Sequence, residues 1–320
     1  MPRLWRNVLV VTALGVGVFA AFSIYADLDK LGHRLTQFSP IAVFLALLLA
    51  MGNYLIRFLR WEAYLRKTDH VVTRSTSALV FISGFAMSVT PGKVGELFKA
   101  ALLRETSGST MARTVPVVVA ERVTDLVSLV LLGLLGVTLY GVAVAMVVAG
   151  TVAMGAAMLV LSYRPLAHGA VRVLEWMKMP RRVTAKLHEL YDNLAHLVRP
   201  GPLTWGTAMG MAAWLCECLG FALIVRSFPG ADVPIGLAML IYAATTVAGA
   251  LSFLPGGLIV TEASMVLLLV RAAHGLDEPA AVAATILIRL CTLWFAVVLG
   301  LVALVRVKRA FPDAVRAVGE

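Results

Sequence analysis

This sequence is short of charge. Asp, Glu, Lys and Arg make up 14% of it and hydrophobic residues 60%, whereas an average soluble chain carries about 25% charged residues. That balance excludes a soluble globular protein. Cysteine is scarce too: Cys216, Cys218 and Cys291 fall in apolar segments with no C-x-x-C spacing, which excludes a disulfide framework or a zinc site. Membrane-enzyme signatures are missing as well. There is no D-x-x-x-D pair, no H-E-x-x-H and no G-x-S-x-G elbow, and the six histidines lie in loops or a surface insert. Asp125 could act as an acid or base, but no nucleophile or metal cluster accompanies it. No cofactor or metal is implied, and no soluble segment is long enough for a second domain.

Long apolar runs are abundant. They recur near 7–26, 41–59, 114–136, 138–161, 203–225 and 280–305, each long enough to cross about 30 Å of hydrocarbon at about 1.5 Å per residue. The expected fold is an all-α polytopic membrane protein with about six full spans, residues 1–320 forming a single transmembrane domain. Two more apolar stretches, 76–103 and 235–272, are interrupted. Ser88-Val89-Thr90-Pro91-Gly92 leads on to Glu96 and Leu102-Leu103; Ser252-Phe253-Leu254-Pro255-Gly256 leads on to Glu262 and Leu268-Leu269. An arginine follows each within an apolar segment, Arg122 26 residues after Glu96 and Arg289 27 after Glu262. A Pro-Gly break repeated in two halves points to a transporter-type binding site. Backbone polar groups freed by a broken helix cannot face lipid, so they line a cavity or meet a ligand.

The formal charge of +10 has a one-sided distribution. With the N-terminus cytoplasmic and the two breaks dipping in and returning as re-entrant helices, 22 Lys and Arg lie on the cytoplasmic side and 4 on the other. That asymmetry sets orientation in a cell inner membrane, both termini inside, and is not a nucleic-acid footprint. Arg3 and Arg6 before Val8–Ile24 could open a signal peptide. The run is long for one and Ile24-Tyr25-Ala26 is a poor cleavage site, so it is read as a retained first span.

With this threading the two halves of the chain mirror one another. Repeat one (about 7–136) and repeat two (about 138–305) match element by element with reversed orientation, an inverted-topology repeat whose two dips meet near the bilayer midplane. The main asymmetry is the insert 164–199. Its cations (Arg172, Lys178, Arg181, Arg182, Lys186) and its leucines (Leu187, Leu190, Leu194, Leu197) suit an amphipathic hairpin on the cytoplasmic leaflet, or a solvated linker with a few packing leucines.

Ionisable residues inside spans are expensive, so each is a site candidate. They are Lys93, Glu96, Glu121, Arg122 and Asp125 in repeat one, and Glu217, Glu262 and Arg289 in repeat two. Three cations against five acids implies protonated acids, which fits proton coupling, or a cationic group completing the site. Glu121 and Asp125 share one helical face with only Arg122 beside them. The alternative is a mutual ion-pair network that only holds helices together. Thr90-Pro91-Gly92 is expected to open a half-helix with Thr90 as N-cap, its dipole suited to phosphate or carboxylate. Asn53, Arg57 and Arg60 share a face of the second span and read first as snorkelling anchors, second as a lipid-phosphate access point.

These residues resemble those of a known family, the transmembrane region of lysylphosphatidylglycerol synthases, or flippase-like domain. The carriers are Pro91-Gly92-Lys93-Val94-Gly95-Glu96, Glu121-Arg122-Val123-Thr124-Asp125, Leu254-Pro255-Gly256-Gly257 with Glu262, and Arg289 with Thr292 and Trp294. One departure is Ile259, where such sequences usually have glycine; a bulkier residue there is expected to narrow the second break or change its substrate. The resemblance implies movement of a lipid between leaflets. The synthase activity does not carry over, since in two-function members a separate soluble domain supplies it.

The expectation is a lipid flippase with its head group between the breaks, formed by Pro91, Gly92, Lys93, Glu96, Glu121, Arg122, Asp125, Pro255, Gly256, Gly257, Glu262 and Arg289. Its partner would be a phospholipid, glycolipid or polyprenyl-phosphate carrier, and self-association into a homo-oligomer is compatible with it. The rivals are a membrane enzyme acting on a lipid carrier and a non-transporting scaffold.

Overall fold

Proline, glycine and short polar residues set the helix ends. In a computed structural model of the chain, residues 38–68, 72–90, 96–140 and 192–314 are described, with the single positions 17, 32, 34, 189 and 190. The expected span 7–26, the span 138–161 beyond Tyr140, most of the insert 164–199, and Pro91, Gly92 and Lys93 lie outside the described residues.

Helix α1 (Pro40–Lys67) starts on a proline, whose fixed φ and missing N–H suit a first turn, and ends on Arg66 and Lys67, which favour the negative helix end. Helix α2 (Arg74–Ser83) is capped by Thr73, whose hydroxyl accepts the Thr76 N–H at 3.4 Å, and runs into a 3-10 turn, Gly84–Met87. Helix α3 (Leu97–Ser107) stops at Gly108 in the left-handed region, φ 70°. Helix α4 (Met111–Tyr140) continues through Pro116. Proline removes the N–H that would bond the Ala112 carbonyl, and Asn193 Nδ2 donates there instead at 3.3 Å.

The second half begins with α5 (Pro200–Arg226), again on a proline. Helix α6 (Ile235–Leu251) leads through a 3-10 turn, Pro255–Gly257, to α7 (Val260–Ala272). Helix α8 (Glu278–Arg289) is capped by the Asp277 carboxylate, which accepts the Ala280 N–H at 3.0 Å. It passes through a π turn, Leu290–Trp294, into α9 (Phe295–Ala310).

The described residues form no strand, only an isolated bridge between Asp232 and His274. Among the described residues, five stretches are long and apolar enough to cross a membrane: α1, α4, α5, Pro255–Ala272 and the continuous run α8–α9. The expected spans 41–59, 114–136, 203–225 and 280–305 fall on α1, α4, α5 and α8–α9. This is an all-α multi-pass membrane protein. Helices α2 and α3, of 10 and 11 residues, each rise about 15 Å, roughly half a hydrocarbon core.

Packing trades partners between the halves. Helix α1 lies along α5, α4 packs on α6, and α9 packs on α2 and its 3-10 turn. Lipid tails are as apolar as leucine, so such contacts depend on small residues that let backbones close up. A Cβ on Gly136 would overlap the α6 backbone at Gly236 and Leu240, and one on Gly300 would overlap Phe85 and Ala86. One core gathers α5, α6 and α8 around Phe221, Ile241 and Ile288; another gathers α1, α2 and α3 around Trp61, Phe81 and Leu102. A third, small cluster of Val89, Leu258 and Val297 lies where the two breaks touch.

Candidate functional site

The second break is a run of backbone turns. Gly257 N–H bonds the Leu254 carbonyl at 2.9 Å, Leu258 N–H bonds that of Pro255 at 3.0 Å, and the Ser252 hydroxyl donates to Gly249 at 2.7 Å. Gly256 and Gly257 have φ of 62° and 68°, but so do two residues with side chains, Phe253 at 55° and Ile259 at 74°. The freed Gly256 carbonyl is met by Arg289, whose Nη2 donates to it at 2.9 Å while its Nε donates to Glu262 Oε1 at 2.6 Å. Glu262 stands in the first turn of α7, where the helix dipole favours an acid.

The first break is held by charges. Arg122 places Nη1 at 2.8 Å from Glu96 Oε1 and Nη2 at 2.9 Å from Asp125 Oδ2. Asp125 Oδ1 accepts from Arg60 Nη2 at 2.6 Å, and Arg57 Nη2 stands 3.9 Å from Oδ2. Behind them Lys99 Nζ donates to Glu121 Oε2 at 2.7 Å and lies 3.8 Å from Glu96 Oε2. The same ammonium sits over the Trp61 and Phe81 rings at 4.8 and 5.1 Å. Its stem passes Gly84, where a Cβ would overlap it. Thr90 bonds the Met87 carbonyl through both its N–H (3.1 Å) and its hydroxyl (2.8 Å), closing the preceding 3-10 turn. It is expected to cap a half-helix opening at Pro91, and that opening lies outside the described residues.

Between the breaks lies a partly open cavity of about 90 Å³. The first half lines it with Tyr54, Arg57, Glu96 and Arg122. The second lines it with Glu217, Tyr242, Gly256, Gly257 and Arg289. Of the expected site residues, Glu96, Arg122, Gly256, Gly257 and Arg289 therefore border one space. Asp125 and Glu262 stand behind it, each holding an arginine that does. Glu121 is fully buried against Lys99, and Pro255 is half-buried in its turn.

Four expectations change. Arg60 is no snorkelling anchor: it is fully buried, paired with Asp125 and bonded to Thr124 Oγ1 at 3.1 Å. Asn53 beside it is equally buried and donates to the Ala213 carbonyl at 2.9 Å. With Arg57, Arg60 and Lys99 inside, the described interior holds five cations (with Arg122 and Arg289) against the five acids, so the inferred acid excess disappears. Glu121 and Asp125 do not compete for Arg122, because Lys99 takes the first and Arg60 shares the second. Ile259 does not narrow the cavity, since it is half exposed and away from the lining.

Lys99, Tyr54, Tyr242 and Trp214 were not singled out from the sequence. Lys99 stood three residues after Glu96, a spacing that pairs charges on one helix face, and that was the available signal. Tyr242 donates to Glu217 Oε2 and Tyr54 to the Thr292 carbonyl in the π turn, each at 2.6 Å.

Apolar spanning helices around a charged cavity, lined from both halves, define a multi-pass α-helical membrane protein with a polar interior site. The chain belongs to the family described as "Lysylphosphatidylglycerol synthase TM region", which it matches over residues 10–300. It is also similar to a UPF0104 membrane protein of Methanothermobacter thermautotrophicus, 22% identical over 320 aligned residues that cover 92% of this chain and 94% of that protein. This is a membrane protein related to lipid handling.

Proposed function

We propose that this protein moves an amphipathic, phosphate-bearing lipid between the leaflets of a cytoplasmic membrane, as a carrier and not as an enzyme. The observation that carries the reading is the cavity shared by the two breaks, with Arg122 and Arg289 on its wall. Ionisable groups at membrane depth mark substrate paths, and unwound backbone is tolerated there where it lines such a path. The space suits a head group, leaving acyl chains in the bilayer. The exchange of partners, α4 onto α6 and α9 onto α2, supports two halves related as an inverted repeat with cytoplasmic termini. Proton coupling no longer follows from excess buried acid, because the described charges balance.

The test is reconstitution in liposomes with fluorescent anionic, zwitterionic and polyprenyl lipids, scoring leaflet exchange. Wild-type protein should exchange at least one phosphate-bearing lipid, and Arg122→Gln should abolish this in folded protein. No exchange of any lipid would sink the proposal. Cysteines at 277 and 189 should label from opposite faces; labelling from one face would remove the inverted repeat. The closeness of the Arg122 and Arg289 pairs favours a second reading, a scaffold held by ion pairs, which predicts full function in charge-neutral double variants.

A further inference from the structure

Among the described interior cations, Arg57 has the longest carboxylate contact. It leaves α1 towards the cavity with its guanidinium carbon 5.7 Å from the Phe85 ring centre and 5.9 Å from that of Trp214. Asp125 is its one carboxylate within 4 Å among the described residues, at 3.9 Å, beyond hydrogen-bond reach. That carboxylate is already taken by Arg60 and Arg122. Neither the buried Arg57 Nε nor the indole Nε1 of Trp214 has a hydrogen-bond partner among the described residues. Of the residues described, four cations of the first-half network (Arg57, Arg60, Lys99, Arg122) face three acids (Glu96, Glu121, Asp125). The surplus charge falls on Arg57, at the cavity edge. Glu217, also on that wall, accepts the Tyr242 hydroxyl.

A desolvated cation and an idle donor side by side are completed by an anion with several acceptor oxygens. Resting on the lipid-carrier reading of the cavity, we infer that Arg57 is the head-group cation, taking the phosphate oxygens of an anionic lipid with the Trp214 N–H beside it. A guanidinium fork matches two phosphate oxygens at once, and the two aromatic faces hold its plane ready. Arg122 and Arg289, each tied to a carboxylate, then serve as positive walls. The same phosphate chemistry could come from a free phosphate ester, so the assay carries both sources.

Purified full-length protein in detergent is titrated calorimetrically with dihexanoyl phosphatidylglycerol, dihexanoylglycerol and sn-glycerol 3-phosphate. The phospholipid should bind tightest. Arg57→Gln should weaken it by about tenfold or more, the worth of a charge-assisted hydrogen bond, with Arg57→Lys recovering only part. Neither variant should alter binding of dihexanoylglycerol. Folded Arg57→Gln with wild-type affinity for the phospholipid would overturn the assignment. So would an equal loss for dihexanoylglycerol, or glycerol phosphate binding as tightly as the lipid. Should Arg57→Gln fail to fold, Trp214→Phe is read instead, with about tenfold weakening expected from one lost hydrogen bond to an anionic phosphate, and unchanged affinity would overturn the assignment. A protein that binds through Arg57 but moves no lipid would overturn the carrier reading and leave this one standing.

Discussion

The two breaks reach similar ends by different means. In the first, α1, α3 and α4 are tied by a continuous chain of ions running Lys99, Glu96, Arg122, Asp125, Arg60, with Glu121 fully enclosed beside Lys99. In the second, one arginine holds one glutamate and one main-chain carbonyl, and the backbone supplies the rest through four positive φ angles. The first half therefore carries its order in charges whose loss strands a partner. The second carries it in backbone geometry, with a single ion pair at its edge.

The largest expected effect tests the enclosed end of that chain. Lys99→Met leaves the Glu121 carboxylate with no cation within 4 Å among the described residues and should cost about 3–5 kcal/mol, the usual penalty for breaking a buried pair. Thermal melting in detergent reads it, and Lys99→Met with Glu121→Gln should recover most of the loss. An unchanged melting temperature in the single variant would mean that the first half does not depend on its charges.

At the second break the balance reverses. Removing both charges, Arg289→Gln with Glu262→Gln, strands neither, so melting should fall less than in Lys99→Met. Leaflet exchange should nevertheless fall by about tenfold, because the cavity loses one of its positive walls and the arginine that holds the Gly256 carbonyl. Full exchange by a stable double variant would favour the scaffold.

Backbone strain gives a smaller effect of opposite sign. Ile259 sits at φ 74°, ψ −59°, a strained turn geometry in which a β-branched side chain is an outlier. Ile259→Gly should stabilise the protein by about 1 kcal/mol, strain relief outweighing the added freedom of the unfolded chain. Destabilisation would show that the isoleucine's lipid contacts outweigh its conformation. Smallest of all, an imposed proton gradient should change leaflet exchange less than about twofold, since the described interior charges balance and no excess acid has to bind a proton. A strong gradient dependence would restore an unbalanced interior.

What could be read from the sequence was what its spacing encoded. The matched intervals from Glu96 to Arg122 and from Glu262 to Arg289 became two ion pairs on one cavity. Four of the long apolar runs became helices α1, α4, α5 and α8–α9. Depth was harder. The span over 41–59 was drawn to stop before Arg60, whereas α1 continues to Lys67 and so carries Arg60 inward to Asp125. Lys99 looked like loop charge because nothing local reveals that Trp61, Phe81 and Glu121 enclose it; those contacts span up to 38 positions of sequence. The polar tips of Tyr54, Tyr242 and Trp214 gave no signal at all, since in composition they count as apolar.

The small cluster where the breaks touch has a mechanical consequence. Val89 from one side meets Leu258 from the other, with Val297 behind, and these three side chains offer no donor, acceptor or charge. A polar bond at that point would have to be broken before the loops could slide past each other, and each stranded group would carry a desolvation cost. Dispersion between aliphatic groups is individually weak and has no direction, so it resists separation while permitting slip. On the lipid-carrier reading, charges grip on either side of this cluster and a greased seam lies where the two halves would shear.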